Sequence, residues 1–125
     1  REKFENPGGK SYSDPREHVL AYIRVLSTRA VREGYRGCGL SNATVEYPSR
    51  DNPARQVAEA HKKVFRKRLR ELAAGMGARQ PAVLGDALLL LIEGIYSTGQ
   101  QSEEGPAQSA LAVAKLLIDA SVTKG

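Results

Sequence analysis

Residues 81–100, PAVLGDALLLLIEGIYSTGQ, decide the fold. Proline at the first position pre-sets a helical φ where no backbone N–H is needed, and the apolar residues that follow recur at helical spacing rather than alternately. The stretch is predicted to be a helix with two apolar faces: Leu84, Leu88, Leu91 and Ile95 on one, Leu89, Ile92 and Tyr96 on the other. Its charged residues, Asp86 and Glu93, stand seven apart and share one narrow strip, which predicts a water-facing edge. Residues 106–122, PAQSALAVAKLLIDASV, repeat the theme. Gln108, Lys115 and Asp119 form the polar strip, Ala107, Ala110, Ala114 and Leu117 lie on one side, and Leu111, Val113, Leu116 and Ile118 fill the rest. A chain of 125 residues has little core with which to surround two such helices. The pattern therefore predicts a homodimer through Leu88, Leu91, Ile95, Ala107, Ala110, Ala114 and Leu117, packed as a four-helix bundle across a two-fold axis. A hairpin buried at the centre of a monomer has the same signature.

Upstream, breakers and caps mark the remaining elements. Asp14-Pro15-Arg16-Glu17 combines an acidic N-cap, a first-turn proline and a glutamate three residues after the cap. It opens a helix over 15–33 whose stripe is Val19, Ile23, Leu26 and Ala30, widened by Leu20, with Gly34 as its stop. A short helix is predicted within 40–47. Asn52 and Pro53 open a longer one, to about Gly75, with Val57, His61, Val64, Phe65, Leu69, Leu72 and Met76 near one face. No segment alternates with period two, so the chain is predicted to be all-α, a bundle of about five helices. Asn6-Pro7-Gly8-Gly9 forbids a continuous helix near the start. Residues 1–14 accordingly read as a linker or loop, 15–122 as one domain and 123–125 as a tail.

Composition narrows the function. The chain is 41% hydrophobic and 26% charged, with a net charge of +5. Residues 1–76 hold 16 basic and 9 acidic side chains, residues 77–125 only 3 and 5, so the oily half and the basic half call for different surroundings. One cysteine, Cys38, excludes an internal disulfide and leaves too few thiols for a structural zinc site. The longest apolar run, Ala87–Ile92, falls far short of the roughly 20 residues that span a bilayer. With no basic-then-apolar leader, the expectation is a cytoplasmic protein without membrane contact.

Chemistry-bearing patterns are few. His18 and His61 are the only imidazoles, neither has metal-ligand spacing, and no nucleophile elbow surrounds a serine. The expectation is a protein that is not an enzyme and holds no metal or cofactor. Gly37-Cys38-Gly39 lacks the third glycine and the preceding strand of a dinucleotide fingerprint. Cys38, beside Arg36 and a helix start, could serve as a nucleophile or redox sensor. The plainer reading is a small buried residue, and a small helical enzyme or redox protein using Cys38 is the alternative class. Lys62–Arg70 places six cations in nine residues, but on the face opposite Val64, Phe65 and Leu69, the pattern of a solvated amphipathic helix rather than a groove reader. His61, on the apolar stripe, and Tyr22, Cys38, Phe65 and Tyr96, from separate segments, are the candidates to line a mostly apolar ligand pocket.

The run Arg36-Gly37-Cys38-Gly39-Leu40-Ser41-Asn42-Ala43, then Glu46-Tyr47-Pro48 and Asp51-Asn52-Pro53, resembles the C-terminal domain of TetR-family transcriptional regulators. The charged helix Ala60–Leu72, the oily Leu88–Gly94 segment and the final Ala/Leu helix follow in that family's order, so the resemblance spans about 15–122. It implies a small-molecule effector cavity walled by the helices on either side of the Gly-Cys break, and a dimer built from the last two helices. Members carry an N-terminal helix-turn-helix domain, and nothing before Asp14 reads as one. The resemblance therefore implies an effector-binding and dimerisation part of a repressor, touching DNA only through a domain outside this chain.

Overall fold

Proline starts, and a glycine stop after the second helix, place four α-helices in the computed structural model, which describes residues 3–33, 53–98 and 106–122. They are α1 (Pro15–Glu33), α2 (Pro53–Gly75), α3 (Pro81–Thr98) and α4 (Ala110–Ser121), with 3-10 turns at Pro7–Gly9 and Pro106–Ser109. The described residues form no sheet, only an isolated antiparallel bridge between Ala78 and Val122. The fold is all-α. The short helix predicted within 40–47, Gly34 and Cys38 lie outside the described residues.

Local chemistry explains the ends. Asp14 Oδ2 accepts the Glu17 N–H at 3.1 Å, and its main-chain carbonyl accepts the first helical bond from His18. Beside the start of α1, α2 stops in a Schellman motif: Ala78 N–H donates to Ala73 O, Gly77 N–H to Ala74 O, and Gly77 takes φ 86°. The turn that follows is tied to the end of α4, where Arg79 donates its backbone N–H to Ser121 O and its guanidinium to Ala120 O. The last helix does not begin at Pro106 as an α-helix, because residues 106–109 wind more tightly before α4 starts.

The helix surrounded by the others is α1. His18, Val19, Leu20, Ala21, Tyr22 and Ile23 are all buried, six in succession, so the predicted stripe of Val19, Ile23 and Leu26 is only part of a wider covered surface. Around it, Leu69, Leu72 and Ala73 of α2, Leu84, Leu88, Ile92 and Ile95 of α3, and Ala110, Ala114 and Ile118 of α4 complete one core. By length and composition alone α3 could cross a bilayer; its Leu84–Ile95 face is instead the centre of this core.

Two packing details correct the reading of faces. Helices α2 and α3 approach so closely at Gly85 that a Cβ there would lie 2.6–2.8 Å from the Cγ, Cα and N of Arg70. Arg66 and Arg70 consequently reach Asp86, each with two nitrogens at 2.7–3.0 Å, and Lys62 reaches Glu93 at 3.5 Å. The Asp86–Glu93 strip thus faces α2 across a seam while both carboxylates keep about a third of their surface in water. With α2 turned toward that seam, the residues it buries run from Ala58 through Leu69 to Ala73, while Val57, His61 and Val64 fall on the exposed side. The proposed interface set moves as well. Leu88, Ile95, Ala107, Ala110 and Ala114 lie within the chain's own core, and Leu91 and Leu117 are half-buried. The apolar side chains left outside on α3 and α4 are Val83, Leu90, Val113 and Leu116.

Candidate functional site

Three of the five predicted pocket residues meet. Tyr22 of α1 lies edge-on to Phe65 of α2, with ring centroids 6.1 Å apart, and its hydroxyl is 3.1 Å from that of Tyr96 in α3. Helical spacing brings them together, because Tyr22 and Phe65 occupy facing turns and Tyr96 closes the next side of the core. His61 does not join them. It is exposed, four residues before Phe65 on the edge of α2 that rotates outward, and so is corrected from pocket lining to surface.

The fourth wall comes from residues read as a linker. Phe4 inserts its ring into the cluster, stacked on His18 at 4.8 Å and edge-on to Tyr22 and Phe65 at 4.8 and 5.0 Å. Tyr12 stacks on the cluster's rim, 6.4 Å from His18. Phe4 also engages its main chain: its carbonyl accepts a 2.8 Å hydrogen bond from His18 Nε2. A carbonyl oxygen can only accept, so the proton of this imidazole sits on Nε2. Next along the chain, Glu5 makes a two-point contact with Arg68, at 2.9 Å to Nε and 3.1 Å to Nη2. The hydrogen bond from Arg68 holds the Glu5 carboxyl below its usual value, against partial desolvation that raises it, and Glu5 in turn raises Arg68. Edge-to-face rings at these separations are attractive beyond their buried area, by about 0.5–1.5 kcal/mol a pair, so residues 3–7 are a working part of the cluster.

What sequence reasoning missed here was Phe4 and the role of His18. A signal existed: Phe4 is one of two phenylalanines in the chain, and His18 precedes Tyr22 by one helical turn. Nothing local ties residue 4 to residues 18 and 65, however, and a proline-glycine stretch after it reads as a break. Among the described residues every buried side-chain nitrogen and oxygen has a hydrogen-bond partner. His18 donates from Nε2 to Phe4 O and so positions the arm.

Two hollows lie away from this cluster. A cleft of about 560 Å³ is bordered by Asp14, Arg16, Met76, Ile118, Asp119 and Val122, with Arg16 reaching Asp119 at 3.2 Å and Glu17 at 3.6 Å. A shallower one of about 370 Å³ involves Arg79, Gln80, Val83 and Ser121. Among the described residues no group of three or more His, Cys, Asp or Glu side chains could hold a metal ion. The basic run of α2 is largely spoken for, since Lys62, Arg66, Arg68 and Arg70 are paired with Glu93, Asp86, Glu5 and Asp86. Comparison with protein-family models, curated proteins and solved structures finds no match for this chain.

Proposed function

We propose that this chain is the effector-sensing and dimerisation domain of a TetR-like transcriptional repressor, a homodimer whose last two helices form the association surface and whose aromatic cluster receives a small molecule. The single observation that carries the reading is the uncharged outer face of α3 and α4. Val83 and Leu90 on one helix and Val113 and Leu116 on the other are exposed, Leu90 at 73% and Leu116 at 70%. The start of α3 is tied to the end of α4, so the helices run antiparallel and the 1.5 Å rise per residue sets Val83 level with the Leu116–Ala120 turn and Leu90 with the turn holding Val113. Charge is drawn off this face: Asp86 and Glu93 turn to α2 and Asp119 to Arg16 of α1, with Lys115 one turn from Asp119 on the same flank. An uncharged apolar hairpin is complementary to a copy of itself about a two-fold axis. That surface replaces the residue set predicted from periodicity and keeps the same helices.

In this mechanism the effector favours one packing of α1 against α2 and thereby biases DNA-binding heads outside these residues, which requires that it bind the two packings unequally. The paired cations of α2 support the same division of labour, because few are left to hold phosphates. Mass measurement by light scattering after size exclusion tests the dimer: a species near twice 13.6 kDa is expected at micromolar concentration, and a monomer there would sink the dimerisation half of the reading.

A further inference from the structure

Residues 3–7 stand outside the helices yet complete the aromatic cluster. Three features of this stretch are held by three fixed points: the ring of Phe4 by Tyr22 and Phe65, its carbonyl by His18 Nε2, and the Glu5 carboxylate by Arg68. The holders belong to α1 and α2. The occupant is joined to them through the Pro7–Gly9 turn, which is anchored by the buried Pro7 and in which Gly8 and Gly9 take φ 62° and 79°, a conformation that glycine adopts without strain. Phe4 stays partly exposed, so its place opens to solvent.

We infer that the groove between α1 and α2 is a binding site for an aromatic carboxylate, and that Phe4–Glu5 is its built-in competitor. The inference rests on the effector-binding half of the function proposed above and is independent of the dimer. A free aryl carboxylate brings the same ring to the same aromatic walls, and its oxygens accept from the His18 Nε2–H and the Arg68 guanidinium, the donors that the arm engages. Planar two-point recognition of a carboxylate is what an arginine fork does best. A neutral aromatic keeps only the ring contacts, and a phosphorylated sugar has nothing for the walls. Arm and ligand exclude one another, so the observed affinity is the intrinsic affinity reduced by the fraction of molecules whose groove is open. Ligand entry releases Phe4 and Glu5 together and swings residues 3–6 away from α2, while the buried Pro7 stays in place.

Calorimetric titration of the 125-residue chain with 3-phenylpropionate tests this, with 3-phenylpropan-1-ol as the ring-only control. Phe4→Ala should bind the acid at least about tenfold more tightly than the parent, because the competitor is gone. Glu5→Gln, which keeps the ring and loosens only the tether, should also bind it more tightly, and it serves if Phe4→Ala is poorly folded by circular dichroism. Adding Arg68→Gln to either variant should abolish acid binding, and the alcohol should bind at least about tenfold more weakly than the acid. No binding of the acid to the two variants, affinities equal to the parent's, or acid and alcohol bound alike would each overturn the inference. A monomer that binds in the expected pattern refutes the dimer alone, and a dimer that does not bind so refutes this site alone.

Discussion

The hydroxyls of Tyr22 and Tyr96 meet 3.1 Å apart inside the bundle, joining α1 to α3 across 74 residues of chain. Both rings are buried, Tyr22 at the junction of the Phe4 cluster and Tyr96 on the inner face of α3. The bond therefore couples the aromatic cluster to one of the two helices proposed to associate.

Tyr96→Phe should lower stability by about 1 kcal/mol, the usual worth of one buried hydrogen bond, and Tyr22→Phe by a similar amount. The double variant should cost less than the sum, because neither hydroxyl then lacks the other. Urea unfolding of the four proteins measures the coupling, and strict additivity would mean that the two groups act independently.

Gly85 and Gly94 stand in the same helix and should respond in opposite directions. A methyl at Gly85 meets the Arg70 backbone and Cγ at 2.6–2.8 Å, whereas one at Gly94 meets nothing within 4 Å. Gly85→Ala should force α2 and α3 apart and cost about 1–3 kcal/mol. Gly94→Ala should stabilise by about 0.4–1 kcal/mol, through reduced freedom of the unfolded chain. Thermal melts of both variants decide it, and a stabilised Gly85→Ala would contradict the close approach.

Association and folding can be separated by choice of residue. Leu90→Glu and Leu116→Glu place charge on side chains already exposed in the single chain; they should yield a helical monomer by light scattering and circular dichroism. Ala114 is fully buried, so Ala114→Arg should unfold the chain by burying an unpaired charge. A Leu90→Glu, Leu116→Glu protein that remains dimeric would move the interface elsewhere.

Acid should weaken the α2–α3 seam and the arm together. Hydrogen bonds from Arg66 and then Arg70 hold the Asp86 carboxyl far below its ordinary value of 3.8, and Arg68 lowers Glu5 from 4.5. A carboxylate depressed on folding contributes stability that is complete above its unfolded value and is lost as pH falls from there through the folded one. The Tm should therefore be insensitive to these groups above about pH 5 and decline below about pH 4. Asp86→Asn should have a lower Tm at neutral pH and a shallower acid decline. An unchanged acid profile in that variant would assign the loss to other groups.

The ends of the helices were legible because their signals are local. Asp14-Pro15, Pro53, Pro81 and Pro106 act on their own backbone within one turn, and each stands where the chain starts a helical segment. That the chain is all-α also followed from spacing alone. Which side of each helix is buried did not. Periodicity ranks His61 with Phe65 and Leu88 with Leu91, but the rotation of a helix about its axis is set by its neighbours: the Gly85 contact and the Arg66–Asp86–Arg70 seam turn α2 so that His61 faces out, and the core around α1 takes Leu88, Ala110 and Ala114. The candidate site divides along the same line. Tyr22, Phe65 and Tyr96 were found because each lies on an apolar face. Phe4 and Arg68 were not, because a ring fourteen residues from His18 and a carboxylate sixty-three residues from its guanidinium are brought together only by the packing of the whole bundle.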